Sequence, residues 1–157
     1  MESYLNWLQG LPPSIWVSES ESLWAYPLVL FLHAVGMGLS AGLAMVIDLR
    51  LLGVGKPLRV SSLRQLFTIF WGGFVLNAAS GTLLFMGAAA STGYVPMYYA
   101  KLTMIFFGLL TMLPIRAFVD GDRADAEIPS RVKTFAAVSF LLWVGVITAG
   151  RLIAYIR

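Results

Sequence analysis

The chain has no cysteine and only one histidine among its 157 residues. The missing thiols exclude disulfides, thiolate metal sites, iron–sulfur clusters and covalent c-type haem attachment. Charge is scarce too. Asp, Glu, Lys and Arg make up 12% of the residues, about half the share of a soluble domain. That is too little to cover a globular surface. The eleven basic residues form neither a run nor a stripe, which leaves nucleic-acid binding without support. There is no phosphate-binding glycine loop, no Ser/His/Asp set and no His-Glu-x-x-His. The start of the chain has no basic stretch, carries Glu2, and has its apolar run broken by Gly10, Pro12 and Pro13. A cleavable signal peptide is therefore not expected, and the first spanning helix is expected to direct insertion.

Apolar residues are abundant instead, at 59% of the chain, and they fall in blocks. A membrane-spanning helix needs about 20 mostly apolar residues. Four such blocks fit, predicted as helices over residues 21–52, 62–90, 97–119 and 131–155. The expected fold is all-α: an integral membrane four-helix bundle, one transmembrane domain over residues 1–157. A short N-terminal segment, Ser3 to Leu11, carries Tyr4 and Trp7 and suits the membrane–water interface. Ser18 to Ser22 supplies capping residues before the first helix, and Pro27 lies near its start, where proline is best tolerated. Gly53 to Pro57 breaks that helix, Ser91 to Pro96 reads as a turn, and Asp120 to Pro129 as a polar loop. The acids of that loop lack the spacing of a calcium site.

Lysine and arginine in short loops set orientation. The connection between helices one and two holds Arg50, Lys56, Arg59 and Arg64, and that between three and four holds Arg116, Arg123, Arg131 and Lys133. Against these eight, the other side has Lys101, Arg151 and Arg157. Both termini are therefore expected outside, which in a bacterial inner (cytoplasmic) membrane is the periplasm. The bilayer is the first partner. Asp48, Arg50 and Arg64 gather at the inner ends of the first two helices, where Asp48 is expected to pair with Arg64 or Arg116 and anchor the inner surface.

Between Leu23 and Ile47 the only ionisable group besides tyrosine is His33, a costly residue at bilayer depth unless it has a partner. It lies about 12 residues, or roughly 18 Å, from the outer end of its helix. Three roles are open: a packed histidine bonded to a neighbouring helix through Asn77, Ser80, Thr103, Ser139 or Thr148, a cofactor ligand, or a proton relay. Lys101 and Arg151 come from the outer half of the bundle as well. They either snorkel to lipid headgroups or hold the propionates of a haem b whose iron takes the imidazole nitrogen. Asn77 either bonds between helices or orients His33 from behind. Met37 shares the helical face of His33 and so cannot be a second axial ligand. Met86, Met97 and Met104 lie on other helices, and a two-fold dimer would supply a second His33. Met37 with His33 also raises copper handling, since thioethers bind Cu(I). Gly38 and Gly42 form a Gly-xxx-Gly pair, extended by Ser40 and Ala44. Such a face brings helices close or leaves room for a flat macrocycle. Gly72, Gly73, Ala78 and Gly81 read the same way on the second helix, and Gly145, Ala149 and Gly150 on the fourth.

His33 within His-x-x-Gly, followed by Pro96-x-x-x-x-Lys101-Leu102, resembles a superfamily of small four- and five-helix membrane proteins. It includes the copper-resistance D-type membrane domain and the membrane-bound protoporphyrinogen oxidase family. The oxidase resemblance implies functional roles for His33 and Lys101 and a bound haem b. The whole chain looks most like an uncharacterised bacterial four-helix integral membrane family, through Tyr26-Pro27, His33, Asp48-Leu-Arg50-Leu-Leu-Gly53, Ser80-Gly81, Lys101-Leu102 and Gly150-Arg151-Leu-Ile-Ala-Tyr155. The resulting expectation is a haem b protein for electron transfer, acting as a dimer or as a subunit beside a quinone or a periplasmic redox partner. A cofactor-free membrane anchor or assembly subunit is the alternative. Whether the chain is an enzyme is left open by the absence of a catalytic motif.

Overall fold

A computed structural model describes residues 2–55, 59–121 and 127–156. Lys56, Arg123 and Arg157, which entered the orientation count, lie outside the described residues, as do residues 122–126 of the polar loop. The chain is all-α, with four helices long and apolar enough to cross a membrane: Tyr26–Leu51, Val60–Gly87, Pro96–Asp120 and Ser130–Tyr155. These are the first to fourth spans below. Two short helices precede them, α1 (Glu2–Gln9) and α2 (Pro12–Glu19). The protein is thus a multi-pass membrane protein built as a four-helix bundle, with a short N-terminal addition.

The first span begins five residues later than expected. The hydroxyls of Ser20 and Ser22 accept the backbone N–H groups of Ser22 and Trp24, at 3.3 and 3.2 Å. These local bonds offer the backbone an alternative to the helix, so the helix starts at Tyr26, with Pro27 in its first turn. The second span stops at Gly87, because Ala88 leaves helical geometry at φ −132°, ψ 28°. A four-residue helix, Ala89–Thr92, follows, covering the expected end of the second helix and the first two residues of the expected turn. The N-terminal segment is two helices because it breaks at Gly10. Leu5 and Val17 are buried beneath it, while Tyr4, Trp7, Ile15 and Trp16 stay exposed. The side-chain oxygen of Gln9 accepts the Ala90 N–H at 3.2 Å, tying α1 to the short helix.

The first span is interrupted by one π-helical stretch, Gly38–Gly42. Before it, Tyr26–Met37 lies on the second span, and beyond it, Leu43–Leu51 lies mainly against the fourth. The change of hydrogen-bonding period lets one helix serve two neighbours. Gly38 and Gly42 bound this stretch, and they do not form the close-packed face expected of a Gly-xxx-Gly pair. A Cβ on either would meet nothing within 4 Å, and the same holds for Gly72. The close approach is made elsewhere. A Cβ at Gly36 would lie 2.6 Å from the Asn77 backbone nitrogen, and one at Gly73 would run into Cβ and backbone of Leu39. The first two spans therefore touch backbone to backbone at Gly36 and Gly73. With lipid as apolar as the helix surface, such contacts are what hold spans together.

The core gathers at the end away from α1 and α2, around Ile47, Leu51, Leu63, Phe67, Ile115 and Val119. Farther from that end, Phe70 meets Trp143 edge to face at 5.9 Å, and Gly108 leaves room for the indole. At this end, called the basic end, Arg64 donates to the carbonyls of Val119 and Asp120 at 3.1 and 2.9 Å. It thereby satisfies the last carbonyls of the third span. Arg116 pairs with the Asp120 carboxylate and lies over the Phe67 ring at 5.2 Å. Both arginines turn to Asp120, and neither pairs with Asp48. The expected pairing is corrected: Asp48 is fully buried, and its carboxylate has no hydrogen-bond partner among the described residues.

Candidate functional site

Three positions one helical turn apart on the second span build one wall of the site: Asn77, Gly81 and Phe85. The His33 ring comes from the facing first span. Its Nδ1 lies 3.1 Å from the Asn77 carbonyl oxygen and 3.2 Å from Ser80 Oγ. Ser80 Oγ itself sits 2.6 Å from the Leu76 carbonyl, where its only proton is used. A carbonyl can only accept, and a hydroxyl whose proton is engaged can only accept. Both partners therefore call for a proton on Nδ1. The neutral ring is then the Nδ1–H tautomer, and its Nε2 keeps a free lone pair. Asn77 closes the clamp by donating from Nδ2 to the His33 carbonyl at 2.9 Å. Ring and backbone of His33 are thus held by one residue across the helix contact.

Gly81 is the surface on which the ring rests. A Cβ there would lie 3.0 Å from His33 Cε1 and 3.3 Å from Nδ1. The ring borders a cavity of about 470 Å³ at the end of the bundle that carries α2 and the fourth span's C-terminal turns. Phe85 and Tyr98, stacked at 4.8 Å, form one side of it. Lys101 enters from the third span, one turn after Tyr98. Its stem runs over Gly150, where a Cβ would stand 3.5 Å from Nζ. Lys101 forms no salt bridge among the described residues and is the one cation lining the cavity. The arrangement offers an imidazole nitrogen and a lysine amine in a mostly apolar cavity.

His33 and Lys101 thus share one cavity, and Asn77 stands behind His33. Arg151 is apart from them. It follows Gly150 directly, but its exposed side chain lies over the Tyr155 ring at 5.5 Å and does not line the cavity. Met86 and Met97 do not line it either, Met104 packs onto Gly145, and Met37 packs against the core cluster. Among the described residues no group of three or more metal-ligating His, Asp or Glu side chains occurs. Thr103 and Thr148 bond to carbonyls of their own helices, and Ser139 lies at the basic half.

Sequence reasoning missed Gly81 as the rest for the ring, and Phe85, Tyr26 and Tyr98 as cavity residues. The four-residue spacing of Asn77, Gly81 and Phe85 was the available signal, since it puts them on one helical face. No family model, no curated protein and no solved structure matches the chain. The likeness to the haem-binding membrane families therefore rests on the short motifs around His33 and Lys101.

Proposed function

We propose that this four-span membrane protein binds haem b at the His33 cavity and serves electron transfer in a bacterial inner membrane. His33 Nε2 would hold the iron, and Lys101 would pair with a propionate. The observation that carries the reading is the pinned imidazole. Ligating histidines as a rule donate their second ring N–H to a carbonyl or carboxylate, which fixes the ring and raises its basicity. His33 has that arrangement through Asn77. Other features fit the group. The cavity volume falls within the range of about 300–1,000 Å³ usual for small-molecule and cofactor sites. Gly81 makes room for the His33 ring and Gly150 for the Lys101 stem, and Lys101 has no counter-ion among the described residues.

Haem b bound there supplies a one-electron couple at its iron. The chain's own residues do the rest. His33 donates a nitrogen, Asn77 and Ser80 hold the ring, Lys101 neutralises a carboxylate, and Leu30, Leu84 and Ile153 exclude water. Arg151 lies over the Tyr155 ring and does not line the cavity, so Lys101 is the cation favoured for a propionate. The cavity lining contains a single histidine. Orientation follows from the basic residues: Arg50, Arg59, Arg64, Arg116, Arg131 and Lys133 belong to the basic end, against Lys101 and Arg151 at the cavity end. That bias supports a cavity in the periplasmic half, where a quinone or a periplasmic redox protein would reach it.

The test is the reduced-minus-oxidised absorption spectrum of the protein purified from haem-replete cells. A Soret and an α band are expected. They should vanish in His33→Ala, weaken in Lys101→Met and persist in Arg151→Ala. A flat wild-type spectrum would refute the haem reading. If His33→Ala then changed only stability while a larger complex co-purified, the protein would be a cofactor-free anchor or assembly subunit.

A further inference from the structure

Asp48 lies one turn before the end of the first span, yet none of its surface is exposed. Neither of its carboxylate oxygens has a hydrogen-bond partner among the described residues. Ser139 of the fourth span, also wholly buried, lies beside the carboxyl, and its hydroxyl has no hydrogen-bond partner among the described residues. One turn along the same face, the Trp143 indole N–H is buried and unpartnered as well. A carboxyl group and a hydroxyl thus lie buried at the seam between the first and fourth spans, with the indole N–H one turn on, beside Gly108 of the third span.

We propose that Asp48 is a proton-binding site, carried as a neutral carboxylic acid in that seam with Ser139 as its partner. Among the described residues no cation pairs with it. On its own helix Arg50 is two positions away, on a different side, and does not hydrogen-bond the carboxyl. From the second span Arg64 is bound to Val119 and Asp120, and from the third Arg116 is bound to Asp120. On the fourth span Arg131 and Lys133 are exposed, about two turns before Ser139. A bare carboxylate in such surroundings costs several kcal/mol even after relaxation. A metal ion is a poor substitute. Hard cations take about six oxygen ligands, and the seam offers one carboxyl and one hydroxyl. The flanking Ala44, Ile47, Leu51 and Ala136 are apolar and fully buried.

A proton is the neutralising ligand that needs no further ligands. It comes from water at the basic end and adds to one carboxylate oxygen. The resulting O–H can donate to Ser139 Oγ. Acids inside spans are rare, and proton relays are among the roles they mark. Holding the proton lets the first and fourth spans close on each other, and releasing it would put an uncompensated charge between them. Proton release and opening of the seam are therefore linked. This holds whether or not the His33 cavity is filled.

Infrared spectroscopy of the full-length protein in lipid at neutral pH reads the site directly. A carboxylic-acid carbonyl band is expected, shifting in deuterium oxide. The other described acids, Glu2, Glu19, Glu21, Asp120 and Glu127, are exposed. Asp48→Asn, a neutral near-isostere, should remove the band and leave the fold intact. Ser139→Ala should raise the band's frequency by removing its hydrogen-bond partner. Selective ¹³C labelling of aspartate in the wild type makes the assignment should Asp48→Asn fail to fold. Absence of any carboxylic-acid band, or a band unmoved by both aspartate labelling and Asp48→Asn, overturns the proposal. So would a carboxylate band that shifts on adding sodium or calcium salts, because the neutralising ligand would then be a metal ion.

Discussion

Replacing single glycines by alanine tests how the first two spans are joined. At Gly36 an added Cβ would stand 2.6 Å from the Asn77 backbone nitrogen and 2.9 Å from its Cα. Carbon contacts settle at about 3.5–4.0 Å, so the shortfall is close to 1 Å. The atoms in the way are backbone, and they cannot rotate aside. The spans must separate, which stretches both bonds between Asn77 and His33. Overpacking of this kind costs about 1–3 kcal/mol. Gly73→Ala meets Leu39 in the same way and should cost as much. Gly38→Ala, Gly42→Ala and Gly72→Ala meet nothing within 4 Å and should stay within about 0.5 kcal/mol of wild type, like other substitutions in open positions. Unfolding of the detergent-solubilised protein, followed by tryptophan fluorescence and helical circular dichroism, gives the five values. The Gly36 and Gly73 variants should form one destabilised pair and the other three a neutral group. If Gly38→Ala or Gly42→Ala cost as much as Gly36→Ala, the helix contact described here would be wrong.

Three further outcomes follow from the packing. Asn77→Ala removes the amide bond to the His33 carbonyl and should cost about 0.6 kcal/mol, the average for interhelical hydrogen bonds in a membrane; equilibrium unfolding in detergent measures it, and a cost above 3 kcal/mol would show that Asn77 does more than this bond. Trp143→Ala empties the indole site against Phe70 and Gly108, both buried, and should cost about 3–5 kcal/mol, read as a lower unfolding midpoint. Asp120→Asn weakens pairs whose side chains are roughly 40–50% exposed; the change should stay below about 1 kcal/mol and shrink as salt is raised.

Much of the architecture was readable because one constraint dominates it. A backbone in lipid must satisfy its own hydrogen bonds, so apolar blocks of sufficient length become spanning helices whatever their neighbours. The third and fourth spans fell within a residue or two of their expected limits. The first began later because the seryl turns at Ser20 and Ser22 compete with helix, which composition alone does not weigh. The π-helical stretch at Gly38–Gly42 was not readable, since it answers to two packing partners at once. For the same reason the glycine pattern misled. Spacing identified Gly38 and Gly42, but contact is made by Gly36 and Gly73, selected by how the helices cross. His33, Asn77 and Ser80 could be expected to meet because few polar groups in lipid have other partners available. The solitude of Asp48 was not foreseen: Asp120 claims both arginines, and only the packing shows it.

The account's central claim is that His33 presents a free Nε2 to a cofactor. Haem titration of the purified apoprotein tests it most directly, followed by the Soret absorbance with wild type, His33→Ala and Asn77→Ala side by side. The account predicts saturation at one haem per chain in wild type, weaker binding at the same stoichiometry in Asn77→Ala, and no saturable binding in His33→Ala. Equal titration curves for wild type and His33→Ala would contradict it.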